Sequence, residues 1–207
     1  MTSILLSVRP EWLAKILNGE KTVEIRKSVP KLPCEVYLYC TKKEYTLMVT
    51  RKGEMNMVGD ILEKPEFIKM PETMRHFNSP LFYSAGKVVA KFTLKEADKI
   101  TYAYMNDVTA GGEVLESGSV AYYITNGQLK SARLRYCDLM DYGNGKTLYA
   151  WHITNLVIFE KPMELWQFNQ KGFPQSTDYV LYENNQARYY HHITRAPQSW
   201  MRVEVAK

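Results

Sequence analysis

The sequence predicts an α+β fold that is mainly β: a small mixed barrel of short strands carrying one N-terminal helix and two loop-rich insertions. Three observations predict it. Apolar and polar residues alternate over several short segments, as strands require. A single stretch near the N-terminus has clear helical spacing, and no strand–helix–strand repeat runs along the chain to build a doubly wound sheet.

Taken in order, Ser3 to Val8 is a short apolar strand, and Pro10 then opens a helix at a position where its missing N–H costs little. Trp12, Leu13, Ile16 and Leu17 form the apolar stripe of that helix, and Gly19 supplies the stop. Thr22 to Lys27 alternates, with Val23 and Ile25 toward the core and Thr22, Glu24 and Arg26 on the polar face. Glu35 to Thr41 alternates again, Val36, Leu38 and Cys40 opposing Glu35, Tyr37 and Tyr39. Residues 42–85 mix Gly, Pro, Met and charge without a sustained period and read as the first insertion, with a short helix near Glu72 to His76. Lys87 to Lys95 is the clearest strand: Val88, Ala90, Phe92 and Leu94 face the core while Lys91, Thr93 and Lys95 face water. Residues 101–146 read as the second insertion, with Gly-rich pieces at 110–114 and 116–120, a short helix over Cys137 to Tyr142 and a turn at Gly143-Asn144-Gly145. Thr147 to Glu160 reads as one long strand that Pro162 ends, starting a helical turn through Phe168. A polar stretch from Asn169 to Gln186 follows, and Trp200 to Val205 alternates as a closing strand. Residues 1–207 are therefore expected to form a single domain, with insertions at about 42–85 and 101–146.

A chain of 207 residues that is 45% hydrophobic can bury a sizeable core, and its longest apolar runs are strand-length. Neither a membrane helix nor a secretory leader is expected, and the three cysteines Cys34, Cys40 and Cys137 are too few and too widely spaced for a disulfide framework or a zinc site. A cytoplasmic location is the expectation. The net charge of +5 is unevenly placed: residues 1–53 carry ten Lys or Arg against five acidic residues, and the remainder is balanced at seventeen each. A surface built from the first quarter would be positive and would attract phosphates, although lysines also serve simply to solvate a face.

The residues that carry chemistry lie in that quarter. Lys21 sits in the turn after the helix as a mobile point charge, and Arg26 offers a planar fork suited to a phosphate or a base edge. Glu24 shares a strand face with Arg26 and can orient it, or accept hydrogen bonds from an exocyclic amine or a ribose hydroxyl. The alternative is a surface ion pair of little energetic consequence. The run Gly19-Glu20-Lys21-Thr22-Val23-Glu24-Ile25-Arg26-Lys27 matches every defined position of G-x-K-x-x-E-x-R, preceded by Ser7-Val8-Arg9-Pro10-Glu11-Trp12 and the helix. With the pieces GKVVAKFTL, NGKTLYAWHITNLVIFEKPMEL and APQSWMRVEV, it resembles the ASCH domain family of the PUA-like superfamily, in particular the longer members found in bacterial prophages and phages. The resemblance implies a PUA-like pseudo-β-barrel whose signature lines a cleft between the N-terminal helix and the barrel.

The expected function is an RNA- or nucleotide-binding module with a basic cleft. Lys21, Thr22, Glu24 and Arg26 are the expected ligand-binding residues, with Ser7, Arg9, Lys42 and His152 as further cleft members. Arg188, Tyr189, Tyr190 and Arg195, beside His191 and His192, interleave charge with aromatic rings and form a candidate nucleic-acid patch. Some ASCH proteins hydrolyse acetylated cytidine with the corresponding lysine, a threonine on the following strand and a distant glutamate. Here Glu24 stands where that threonine would be, so binding is favoured over catalysis; a hydrolase would use Lys21, with Glu24 as the second candidate. A metal-independent ribonuclease using the histidines is the remaining enzymatic alternative. His76, His152, His191 and His192 lack metal-ligand spacing, and no phosphate-binding Gly-rich motif occurs, so neither a metal nor a cofactor is expected. A protein partner bound through the insertions is a further expectation.

Overall fold

The computed structural model describes residues 1–42, 44–56, 58–71, 84–108, 114–170, 180–183, 186–189 and 193–205, with 104–108, 114–120, 180–183 and 186–189 described as backbone. The fold is mainly β. Strands β1 (Thr2–Val8) and β3 (Cys34–Cys40) run parallel at the centre of a six-stranded sheet, joined by a connection that contains helix α1 (Pro10–Leu17) and strand β2 (Val23–Arg26). A parallel pair needs such a crossover, and here the crossover carries the signature. Beside β3 lie β6 (Lys87–Leu94) and β11 (Thr154–Glu164), and beside β1 lie β15 (Trp200–Val205) and β12 (Phe168–Gln170), all antiparallel. A smaller antiparallel sheet pairs β2 with β10 (Leu148–His152), and β10 with β7 (Ala97–Ile100).

The large sheet is buried on both faces. Ile4, Leu6 and Val8 of β1 and Val36, Leu38 and Cys40 of β3 pack under α1, against Leu13, Ile16 and Leu17. On the opposite face Leu5, Tyr37, Tyr39, Val88, Phe168 and Val203 form a second core, with Tyr37 and Phe168 meeting edge-on at 5.1 Å. The alternation expected in β3 is therefore present, but its tyrosine side is packed. In β6, Leu38 pairs with Ala90 and Tyr39 with Val88, so Val89 is a bulge residue and joins Ala90 in the first core. A third core forms where Val23, Ile25, Leu148 and Ala150 of the small sheet meet Ala132 of α2 (Asn126–Ala132) and Leu139 of α3 (Tyr136–Gly143).

The two segments expected to be loop-rich carry regular structure. Residues 42–85 contain a hairpin of β4 (Tyr45–Thr50) and β5 (Glu66–Pro71), while the helix expected near His76 lies outside the described residues. This hairpin is fastened to α1 by Asn18, whose side chain accepts from the Phe67 amide at 2.8 Å and donates to the Phe67 carbonyl at 2.9 Å, as a neighbouring strand would. Residues 101–146 contain a hairpin of β8 (Tyr102–Val108) and β9 (Val114–Tyr122), then α2 and α3. The piece at 116–120 that reads as Gly-rich loop belongs to β9. Helix α2 begins at a capping box in which Thr125 and Gln128 satisfy each other's backbone amides, a signal present in the sequence as Thr-x-x-Gln. A further hairpin pairs β13 (Val180–Glu183) with β14 (Gln186–Tyr189).

Two other expectations are corrected. Thr147 to Glu160 is not one strand: Ile153 breaks it, its amide bonding the Thr22 carbonyl, so β10 serves the small sheet and β11 the large one. Pro162 does not end β11, because pairing with β6 resumes at Met163 and Glu164 after a register shift that begins beyond Ile158. Pro162 falls in the bulged-out part, where no ladder bond needs its missing N–H.

Candidate functional site

Helix α1 delivers Lys21 beneath itself. Pro10 occupies the first helical turn, the helix ends after Leu17, and Gly19 adopts φ +75°, a left-handed conformation that a side chain would resist. The amides of Glu20 and Lys21 then both bond the Lys15 carbonyl at 2.9 Å, turning the chain back under the helix. Lys21 is consequently not a mobile surface charge. Its side chain is 3% exposed, its Nζ donates to the Ala132 carbonyl at 2.7 Å and lies 3.3 Å from Glu24 Oε2, and the Trp12 ring centroid is 5.4 Å away.

Strand β2 places Glu24 and Arg26 on one face, two residues apart. Arg26 Nη2 lies 2.8 Å from Glu24 Oε1 and donates to the Ser7 carbonyl at 2.9 Å, with side-chain exposures of 12% for Arg26 and 9% for Glu24. The carboxylate thus bridges an ammonium and a guanidinium. Burial by itself would raise the Glu24 pKa, but the charges of Lys21 and Arg26 overcome it and hold the carboxyl below its usual range. For Lys21 burial wins over the attraction of Glu24 and holds the ammonium below the ordinary lysine value.

These three groups line one cleft of about 620 Å³. Ser7, Arg9 and Trp12 form one wall, Asp138 and Tyr142 of α3 another, and Pro197 to Ser199 a third, with Thr41 at the end of β3. Each wall is locked in place. Ser7 donates its hydroxyl to the Pro197 carbonyl at 2.6 Å, and the Ser7 amide bonds the Ser199 carbonyl. Gly143 allows the Tyr122 ring to press against α3, where a Cβ would collide with it, and the Tyr122 hydroxyl bonds the Lys146 carbonyl at 3.0 Å. Tyr142 stands beside Arg26, its phenol pKa raised by burial.

Of the residues expected at the site, Lys21, Glu24, Arg26, Ser7 and Arg9 come together in this cleft. Thr22 does not line it: the side chain is exposed, and its backbone is tied to Ser131 and Ile153. Lys42 is exposed and lies against Gly86. His152 pairs with Asp98 at 2.8 Å instead of facing the cleft, because the register sets Trp151 opposite Glu24 and so turns His152 to the other face of β10. Arg195 is exposed two residues before the Pro197 wall. The side chains of Arg188 and Tyr189, and Tyr190, His191 and His192 altogether, lie outside the described residues. Trp12, Thr41, Tyr142 and the 197–199 segment were not foreseen as cleft residues. Trp12 was legible as an apolar helix position beside the signature, whereas Thr41 and Tyr142 arrive through strand pairing and helix packing that no local pattern encodes.

The ASCH domain model matches residues 6–163, which takes in the whole signature. The chain belongs to the ASCH domain family. Among solved structures, it is similar to ASCH from Zymomonas mobilis, at 16% identity and a TM-score of 0.40 over 79% of this chain and 73% of that one. A tyrosine-to-phenylalanine mutant of that Zymomonas mobilis protein is similar at 15% identity and a TM-score of 0.39, over 80% of this chain and 77% of that one. Comparison with curated proteins gives no match. In this ASCH domain, no helix among the described residues is long and apolar enough to cross a membrane, and no cluster of His, Cys, Asp and Glu among them could hold a metal ion.

Proposed function

We propose that this ASCH domain is an RNA- or nucleotide-binding module that seats its ligand in the cleft above Lys21, Glu24 and Arg26. One observation carries the reading: a cleft large enough for a nucleotide has a charged, hydrogen-bonding floor, with Trp12 and Tyr142 in its walls and Arg9 beside them. Rings of this kind stack on bases and a cation such as Arg9 tracks a backbone phosphate. The floor suits a polar edge, because Glu24 already balances one of the two cations. The test is anisotropy of a labelled single-stranded RNA across a salt series, with Arg9→Ala and Arg26→Gln beside wild type. Weakened binding in both variants and a falling affinity with salt are expected; binding indifferent to both substitutions would overturn the reading.

The buried Lys21, held below its ordinary pKa and touching a carboxylate, favours a second reading in which Lys21 acts as base in hydrolysing an acetylated pyrimidine nucleoside. Acetate release by wild type, and none by Lys21→Met, is the outcome it requires. The ribonuclease alternative draws no support from His152, which is committed to Asp98 outside the cleft.

A further inference from the structure

We infer that Thr41 is a specificity-determining residue of the cleft: its hydroxyl and the Arg26 Nε–H form a donor pair for an acceptor oxygen of the ligand, either a phosphoryl oxygen or a base carbonyl. The inference rests on the nucleotide-binding reading and names the atom that the cleft selects. Most polar groups of the floor are satisfied by one another. Lys21 is bonded to the Ala132 carbonyl and Glu24, both Glu24 oxygens are engaged, Arg26 Nη2 is shared between Glu24 and the Ser7 carbonyl, and Ser7 Oγ is bonded to Pro197. Arg26 Nε and Thr41 Oγ1 are the cleft-lining residues' buried polar atoms without a partner among the described residues.

These two residues are held side by side against the end of β1. Arg26 donates to the carbonyl of Ser7, and the Thr41 amide donates to the carbonyl of the next residue, Val8, at 3.0 Å. The Thr41 backbone is therefore fixed, and its hydroxyl is sealed inward. A χ1 turn of about 120° between staggered positions exchanges that hydroxyl with the methyl group and brings it toward the cleft. A valine has the same shape and would fill the site without an orphaned hydroxyl, so the free protein gains nothing from a threonine here. An acceptor in the cleft is what both groups lack. Because Glu24 neutralises one cation of the floor, that acceptor need not carry a charge.

The test sets Thr41→Val and Thr41→Ser beside wild type, with calorimetric titration of uridine, adenosine monophosphate and inorganic phosphate and the unfolding midpoint of each free protein. Thr41→Val should weaken at least one probe about five- to tenfold, the value of one neutral hydrogen bond, while Thr41→Ser keeps wild-type affinity. The free Thr41→Val protein should unfold at the same or a higher temperature, a combination that a merely structural threonine would not give. A penalty on uridine assigns the base carbonyl, and one on the other two probes assigns a phosphoryl oxygen. Wild-type affinity of Thr41→Val for every probe would overturn the assignment while leaving the binding reading intact, as would a joint loss of stability and affinity that Thr41→Ser does not restore. Failure of wild type to bind any of the three would overturn both.

Discussion

Replacing Glu24 by glutamine removes the one anion that holds Lys21 and Arg26 in the floor of the cleft. Breaking a buried ion pair by deleting one partner costs roughly 3–5 kcal/mol, because the remaining charge stays buried. The lower end applies here: Lys21 already sits below its ordinary pKa and can shed its proton, and Arg26 keeps its bond to the Ser7 carbonyl. A loss of about 3 kcal/mol in a chain of this size lowers the unfolding midpoint by roughly 6–12 °C. The pH dependence gives a second, independent signature. The folded-state pKa of Glu24 is depressed, so the stability it contributes is present above the ordinary carboxylate range and is lost as pH falls through the folded value. Lys21 is also depressed, so its protonation favours the unfolded chain and stability rises as pH climbs from its folded value toward the ordinary lysine value. Urea denaturation of wild type and Glu24→Gln from neutral pH into acid should show a gap of about 3 kcal/mol that closes in acid, once the wild-type carboxyl is protonated. A neutral-pH gap below about 0.5 kcal/mol, the scale of an ordinary surface substitution, would refute the reasoning, as would a gap that persists unchanged into acid.

Asn18→Ala removes both bonds that fasten the β4–β5 hairpin to α1, and should cost about 1–2 kcal/mol with faster hydrogen exchange at the Phe67 amide, read by exchange mass spectrometry or NMR. Thr125→Ala deletes the cap of α2 and should cost about 1 kcal/mol in urea denaturation without moving ligand affinity. Arg9→Ala, in the cleft wall, should weaken RNA binding about equally for all sequences and reduce the salt slope by about 1, with an unchanged unfolding midpoint.

The parts of the fold that were legible are those that local periodicity encodes. The Pro10-to-Gly19 helix, the alternation of β2, β3, β6 and β15, and the α3 turn over Cys137 to Tyr142 all rest on spacing that one short window contains. The β4–β5 and β8–β9 hairpins were not legible, because Gly, Pro and charge in 42–85 and 101–146 mask strands whose pairing supplies the order. Sheet switching at Ile153 was hidden for a related reason: β10 and β11 are both apolar and aromatic, and only their different partners separate them. At the site, the spacing of Lys21, Glu24 and Arg26 predicted a shared location but not burial, which comes from α1 folding back over the turn. His152 was misplaced because its face depends on the register with β2, a long-range property. The C-terminal wall at 197–199 lies nearly two hundred residues from Ser7, and sequence gives no measure of that approach.

The central claim is that the ligand enters the cleft above the carboxylate-bridged cations. NMR titration of the protein with single-stranded RNA, following the Trp12 indole and Arg26 Nε–H signals, addresses it directly. The account predicts saturable shifts at both signals with the same dissociation constant as the anisotropy assay. Tight RNA binding that leaves both signals unmoved, with its shifts at Arg188 to Arg195 instead, would contradict it.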